Sequence, residues 1–96
     1  MRNAELISAL NQYKVSHQAI YGIKRLGLFG STARGTATDQ SVIDIVVELE
    51  KQDLFFMIGI KQDLEEQFGS KVDIVSYRPT MNPFLKRRID REAVYA

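Results

Sequence analysis

A chain of 96 residues, 45% hydrophobic and 26% charged, has the balance of a folded domain, which excludes a disordered, collagenous or low-complexity protein. Thirteen Lys and Arg against twelve Asp and Glu leave a net charge of +1, too little for a dedicated nucleic-acid binder, and zero cysteines exclude a disulfide framework or a thiolate metal site. With no signal-like or membrane-spanning apolar run, the expectation is one soluble, cytoplasmic domain over residues 1–96, small enough for a partner or a homodimer to add stability.

Leu6, Ile7 and Leu10 recur at helical spacing behind Asn3 and Glu5, which predicts a helix over 4–13 with Asn3 as its cap. Ser16 is placed to cap a second, shorter helix carrying Ala19 and Ile20, with Gly22 as its stop. Residues 26–29 form an apolar run bounded by glycines and read as a buried strand ending at Gly30-Ser31. Ser31 is then the expected N-cap of a short helix through Ala33 and Arg34, closed by Gly35, and residues 36–41 form a polar loop. Residues 42–49 are rich in β-branched side chains, and their alternation sets Val42, Asp44, Val46 and Glu48 on one face, with Ile43, Ile45, Val47 and Leu49 on the other. A long helix is predicted over 52–68 from Leu54, Met57, Ile58, Ile60, Leu64 and Phe68, with Gly69 as its stop. A third strand covers 72–75, a turn covers 79–83, and a last helix over 83–93 turns Phe84, Leu85, Ile89 and Ala93 to the core.

Two segments suggest chemistry. Gly30-Ser31 opens a helix directly after a buried strand, and free N–H groups at a helix start, with the dipole and a serine hydroxyl, accept phosphate oxygens. The same pair is also an ordinary strand-to-helix corner. Asp44 stands among Ile43, Ile45, Val46 and Val47, where an ionised carboxylate is costly unless compensated. The compensation is either an ion pair or hydrogen bond, or a Mg²⁺ ion held together with substrate phosphates. Asp73 repeats the pattern between Val72 and Ile74, and on neighbouring strands the two carboxylates would converge on one cation.

The stretch Gly30-Ser31-Thr32-Ala33-Arg34-Gly35, five further residues and then Ser41-Val42-Ile43-Asp44 resembles the signature of the minimal nucleotidyltransferases of the DNA polymerase β superfamily, Gly-Ser-x-Ala-Arg-Gly followed by Ser-Asp-x-Asp. The resemblance spans the chain, through the lead-in Leu26-Gly27-Leu28-Phe29, the segment Val72-Asp73-Ile74-Val75 and the ending Ile89-Asp90-Arg91-Glu92-Ala93-Val94-Tyr95. It implies an α+β nucleotidyltransferase fold, a small mixed sheet with helices packed against it, in an antitoxin-like protein partnered with a HEPN-type toxin. The implied reaction moves a nucleoside monophosphate, AMP from ATP or the equivalent from another nucleoside triphosphate, to a hydroxyl of a partner protein, such as a tyrosine of the toxin. By the same resemblance Gly30 and Ser31 hold the triphosphate, and Asp44 and Asp73 are the catalytic carboxylates that bind Mg²⁺. Arg34 matches the signature arginine, which either touches phosphate or braces the loop.

Val42 stands where the family pattern has its first Asp, and valine ligates no metal. Two-metal transfer needs bridging carboxylates between ions about 3.5–4 Å apart, so this loss weakens both ion sites together. Glu48, four residues beyond Asp44 and so about 13 Å along an extended strand, and Asp39 in the preceding loop are poor replacements. The alternative reading is therefore a non-catalytic antitoxin or interaction module that binds and occludes a toxin. Elsewhere, His17 reads as an ordinary surface histidine and the basic run Lys86-Arg87-Arg88-Ile89-Asp90-Arg91 as a solvated helix face, while Phe55-Phe56-Met57 is divided between core and interface.

Overall fold

The structure is a computed structural model that describes residues 2–35 and 42–96. Asn3–Tyr21 form one helix, α1, where the periodicity predicts two. Neither Gly nor Pro interrupts the join, and the Ser16 hydroxyl donates back to the Gln12 carbonyl at 2.8 Å instead of capping a new helix. Tyr13, His17 and Tyr21 stack along the helix, with ring centroids 4.0 and 6.1 Å apart, which carries its periodicity through the expected break. Arg2 occupies the N-cap position, and the Asn3 amide donates instead to the Ala33 carbonyl at 3.2 Å, tying the start of the chain to a later segment. Gly22 ends α1 as expected.

Four strands follow: β1 (Ile23–Leu28), β2 (Ile43–Leu49), β3 (Val72–Ser76) and β4 (Val94–Tyr95). They form one mixed sheet in the order β3-β2-β1-β4, with β2 and β3 parallel and β1 antiparallel to both β2 and β4. The two-residue β4 is absent from the sequence reading because its only support is tertiary. Val94 and Tyr95 pair with Leu28 and Gly27, and a Cβ on Gly27 would lie 2.5 Å from the Val94 carbonyl oxygen. That glycine is the condition for β4 to dock.

The helices after α1 are α2 (Gly30–Arg34), α3 (Leu54–Phe68) and α4 (Pro83–Glu92). Asp53 caps α3 by accepting from the Phe55 and Phe56 N–H groups at 2.8 and 3.2 Å, and Asn82 does the same for Phe84 and Leu85 at the start of α4. Pro83 sits in the first turn of α4, as expected.

Alternation along the strands divides the core. On one face, Leu6 and Leu10 of α1 and Ile60 and Leu64 of α3 pack on Leu26, Leu28, Ile45, Val47 and Leu49. Each fully buried aliphatic side chain there is worth about 1.5–3 kcal/mol. On the other face a smaller cluster joins Phe29, Val46 and Met81 to Ile89 of α4. Asp44 and Glu48 share a strand face with Val46, on this second side, as the period-2 reading requires. Three residues of the apolar patterns are corrected: Leu54, Ile58 and Phe84 are exposed, and Leu54 and Phe84 lie in the first turn of their helices, ahead of the part that reaches the sheet. Phe55 is likewise exposed, whereas Phe56 packs edge-on against Tyr21 at 5.3 Å, so the Phe55-Phe56-Met57 run splits between surface and core.

Candidate active site

The parallel pairing of β2 and β3 sets Asp44 directly beside Asp73 in register, on one face of the sheet. Asp73 is exposed and Asp44 half-buried. Burial, and then the neighbouring charge of Asp73, push the Asp44 carboxyl above the usual carboxylate range. The Ser31 hydroxyl, hydrogen-bonded to Asp44, and the more distant Arg88 and Arg34 guanidiniums pull the other way without reversing the shift. Two like charges thus face each other on adjacent strands.

The turn after β1 is fitted to that pair. Gly30 adopts φ 63°, and a Cβ built on it would lie 2.9 Å from Asp44 Oδ2, so conformation and space both call for glycine. Backbone bonds lock the turn to β2: the Phe29 N–H donates to the Asp44 carbonyl at 3.2 Å, and the Asp44 N–H donates to Thr32 Oγ1 at 3.0 Å. Thr32, only 2% exposed, was not singled out by the sequence reading. Its one signal is a hydroxyl buried inside the Gly-Ser turn. Ser31 is corrected from its expected place as N-cap: Phe29 holds that position, α2 begins two residues earlier than expected, at Gly30, and the Ser31 hydroxyl serves Asp44 instead.

Arg34 closes α2 and reaches α4, where its Nη1 donates to both oxygens of Glu92 at 3.3 and 3.4 Å. Arg88 approaches the same carboxylate at 4.0 Å. Arg34 therefore braces α2 against α4 while half of its side chain remains open to solvent.

The structure also gives the place of Glu48, one of the other acids. Glu48 accepts from Arg25 Nε at 2.8 Å at the far end of the same strand and is committed there. Asp39 lies outside the described residues, as does the rest of the loop over 36–41. Val42 precedes β2 and is 41% exposed, which puts an aliphatic side chain near solvent two residues before Asp44. Among the described residues no group of three or more His, Cys, Asp and Glu is placed to hold a metal. His17 is held between two tyrosine rings with Nδ1 3.0 Å from the Tyr13 carbonyl oxygen, an ordinary helix contact. On α4, Lys86 pairs with Asp90 and Arg87 lies over the Phe84 ring, consistent with a solvated basic face. Among the described residues no helix is long and apolar enough to cross a membrane.

Known proteins share this fold. The sequence profile of the family described as polymerase beta, nucleotidyltransferase matches residues 5–95. MntA of Thermococcus cleftensis, named a protein adenylyltransferase, is 32% identical over 95% of this chain and 92% of its own. MJ0435 of Methanocaldococcus jannaschii, provisionally named a protein adenylyltransferase, is 43% identical over 77% of this chain and 80% of its own. Among solved structures, a protein provisionally named a minimal nucleotidyltransferase superposes with a TM-score of 0.79 at 36% identity, covering 98% of this chain and 95% of the other. A toxin–antitoxin crystal structure with AMP-PNP superposes with a TM-score of 0.71 at 26% identity, covering 90% of this chain and 72% of the other.

Proposed function

This chain belongs to the polymerase β nucleotidyltransferase family, and we propose that it is an antitoxin-type member that transfers AMP from ATP to a hydroxyl of a partner toxin. The observation that carries the reading is the register of Asp44 with Asp73 beside a glycine turn that leaves room only for the Asp44 carboxylate. The names of the relatives, protein adenylyltransferase, and the toxin–antitoxin structure with AMP-PNP give the reaction class and the kind of partner.

The donor set fits one divalent ion. Two adjacent carboxylates, one of them with its ionised form disfavoured by burial and by the other's charge, suit a single Mg²⁺ that takes its remaining oxygens from nucleotide phosphates and water. Val42 contributes no ligand toward a second. When bound, the ion would neutralise charge on the transferring phosphoryl group. The remaining tasks fall to the chain itself. Gly30 makes room for the Asp44 carboxylate and, with Ser31, whose hydroxyl lies beside Asp44, would hold the triphosphate, while Arg34 presents to phosphate oxygens the guanidinium N–H groups that Glu92 does not engage. Asp73, the more open carboxylate, would accept the proton of the incoming acceptor hydroxyl. Pyrophosphate leaves.

One observation favours a second reading. The exposed Val42 in place of a carboxylate suits a member that has kept the fold and its partner while losing transfer, so that it occludes the toxin without modifying it.

Both readings are tested by incubating the protein with labelled ATP, Mg²⁺ and the product of the neighbouring gene. Label transfer that disappears in Asp44→Ala and Asp73→Ala, by at least about 100-fold, supports the enzyme. A stable, nucleotide-independent complex without transfer by the natural protein, but with transfer restored by Val42→Asp, establishes the non-catalytic antitoxin.

A further inference from the structure

Glu92 is in a place that local physics does not favour. It is the last residue of α4, against the negative end of the helix dipole, where cations are preferred over carboxylates. Its chain position is fixed from the C-terminal side, since Val94 and Tyr95 are zipped onto β1 at Leu28 and Gly27 immediately beyond it. The carboxylate is largely covered and meets two guanidiniums, Arg34 at 3.3 Å and Arg88 at 4.0 Å. Both of those arginines act on Asp44 electrostatically, Arg88 from α4 and Arg34 from the end of α2. A carboxylate at a helix C-terminus that gathers two cations beside a pair of acids is a local rule broken at a functional site.

We propose that Glu92 is a positioning residue for Arg34: it holds one edge of the guanidinium so that the other edge faces the triphosphate of the bound nucleotide. This rests on the reading above, in which Arg34 faces phosphate. Arg34 has five N–H donors in a fixed fork, and Glu92 engages only those on Nη1. A long side chain half open to solvent otherwise samples many rotamers, so an anchored guanidinium binds phosphate with less ordering still to be done. The same contact makes α4, and with it the pairing of the chain's last strand, part of the nucleotide site.

The test is AMP-PNP binding in Mg²⁺, measured by titration calorimetry on the natural protein, Glu92→Gln, Glu92→Asp, Arg34→Ala and the Arg34→Ala/Glu92→Gln double variant, with AMP as the control ligand. The expected result is AMP-PNP binding weakened about fivefold by Glu92→Gln and partly restored in Glu92→Asp, with AMP binding unchanged. The double variant should bind no more weakly than Arg34→Ala alone, because Glu92 acts through the arginine. Thermal melts of each variant identify a folding defect, and the AMP control reads the site even where the melt shifts. Glu92→Gln with natural AMP-PNP affinity, while Arg34→Ala is weakened, overturns the positioning role alone. Equal weakening toward AMP and AMP-PNP also overturns it, since that is the signature of a general structural role. Arg34→Ala with natural affinity, or a natural protein that binds no AMP-PNP, overturns the reading of the site beneath it and the proposal with it.

Discussion

The face of the sheet that carries α4 has two ends with opposite electrostatics. At one end Asp44 and Asp73 sit side by side, and Arg34 and Arg88, the two cations that act on Asp44, are drawn toward Glu92. At the other end Glu48 is matched at 2.8 Å by Arg25, whose guanidinium lies 4.5 and 5.0 Å from the ring centroids of Tyr95 and Tyr77. The Tyr77 hydroxyl donates in turn to Asp90 at 2.7 Å. The same strand thus holds one acid matched by a cation and one, hydrogen-bonded by Ser31, that faces another acid. An acid with a cationic partner is explained by stability, whereas a pair of acids beside a glycine turn is explained by a cation that binds there.

The two glycines of this face separate the roles most sharply. Gly27→Ala sets a Cβ against the Val94 carbonyl and the Tyr95 backbone, so β4 has to shift, at a cost of about 1–3 kcal/mol by denaturant unfolding. Gly30→Ala forces an alanine to φ 63°, costing about 1–2 kcal/mol, and also drives the Asp44 carboxylate out of place. Nucleotide affinity should therefore fall steeply in Gly30→Ala, and in Gly27→Ala only as far as β4 and Glu92 move with it. If both variants lost stability while neither lost nucleotide affinity, the turn at Gly30 would be a structural corner like the other.

A smaller effect is expected at the satisfied end. Glu48→Gln breaks a partly exposed ion pair, which is worth about 0.2–1 kcal/mol, and should leave transfer and AMP-PNP binding unchanged. Loss of activity in this variant would mean that Glu48 stands in for the carboxylate absent at Val42, and the contrast between the two ends would fail.

Much of the fold was legible because period 2 is a strong signal. The division of β2 into an apolar face and the Asp44–Val46–Glu48 face followed from alternation alone, and the neighbouring-strand condition placed on Asp44 and Asp73 was met by the parallel pairing. Helix ends were read less well. Ser16 has the chemistry of a cap, but its hydroxyl found the Gln12 carbonyl within an unbroken helix, and propensity cannot tell those outcomes apart. Asp53 and Asn82 are strong caps that lay just outside or at the margin of the apolar patterns used to place α3 and α4. Within the site, the carboxylates were visible because charge is conspicuous among valines and isoleucines. Glu92 was not, since it lies 58 residues from Arg34 in sequence, on a helix where one more charged residue is unremarkable. Thr32 escaped for a different reason: a small hydroxyl carries no pattern until the strand it bonds is in place.

The smallest effect concerns the carboxylate pair itself and has a definite sign. Burial and the charge of Asp73 raise the Asp44 pKa in the folded protein above its value in the unfolded chain, so ionised Asp44 opposes folding. The opposition is complete above the folded-state value, shrinks as pH falls through it, and vanishes below the unfolded value. Asp44→Asn, which removes the charge and keeps the shape, should therefore stabilise the nucleotide-free, Mg²⁺-free protein at pH 7, by about 1 kcal/mol or less because solvent screens this half-buried group. The gain over the natural protein should narrow as both are melted at successively lower pH. At the other end of the strand the sign is reversed: Glu48→Gln loses an attractive partner and so destabilises the protein at pH 7. Were Asp44→Asn to destabilise the protein at neutral pH, Asp44 would be a structural acid like Glu48, and the case for a cation site between Asp44 and Asp73 would go with it.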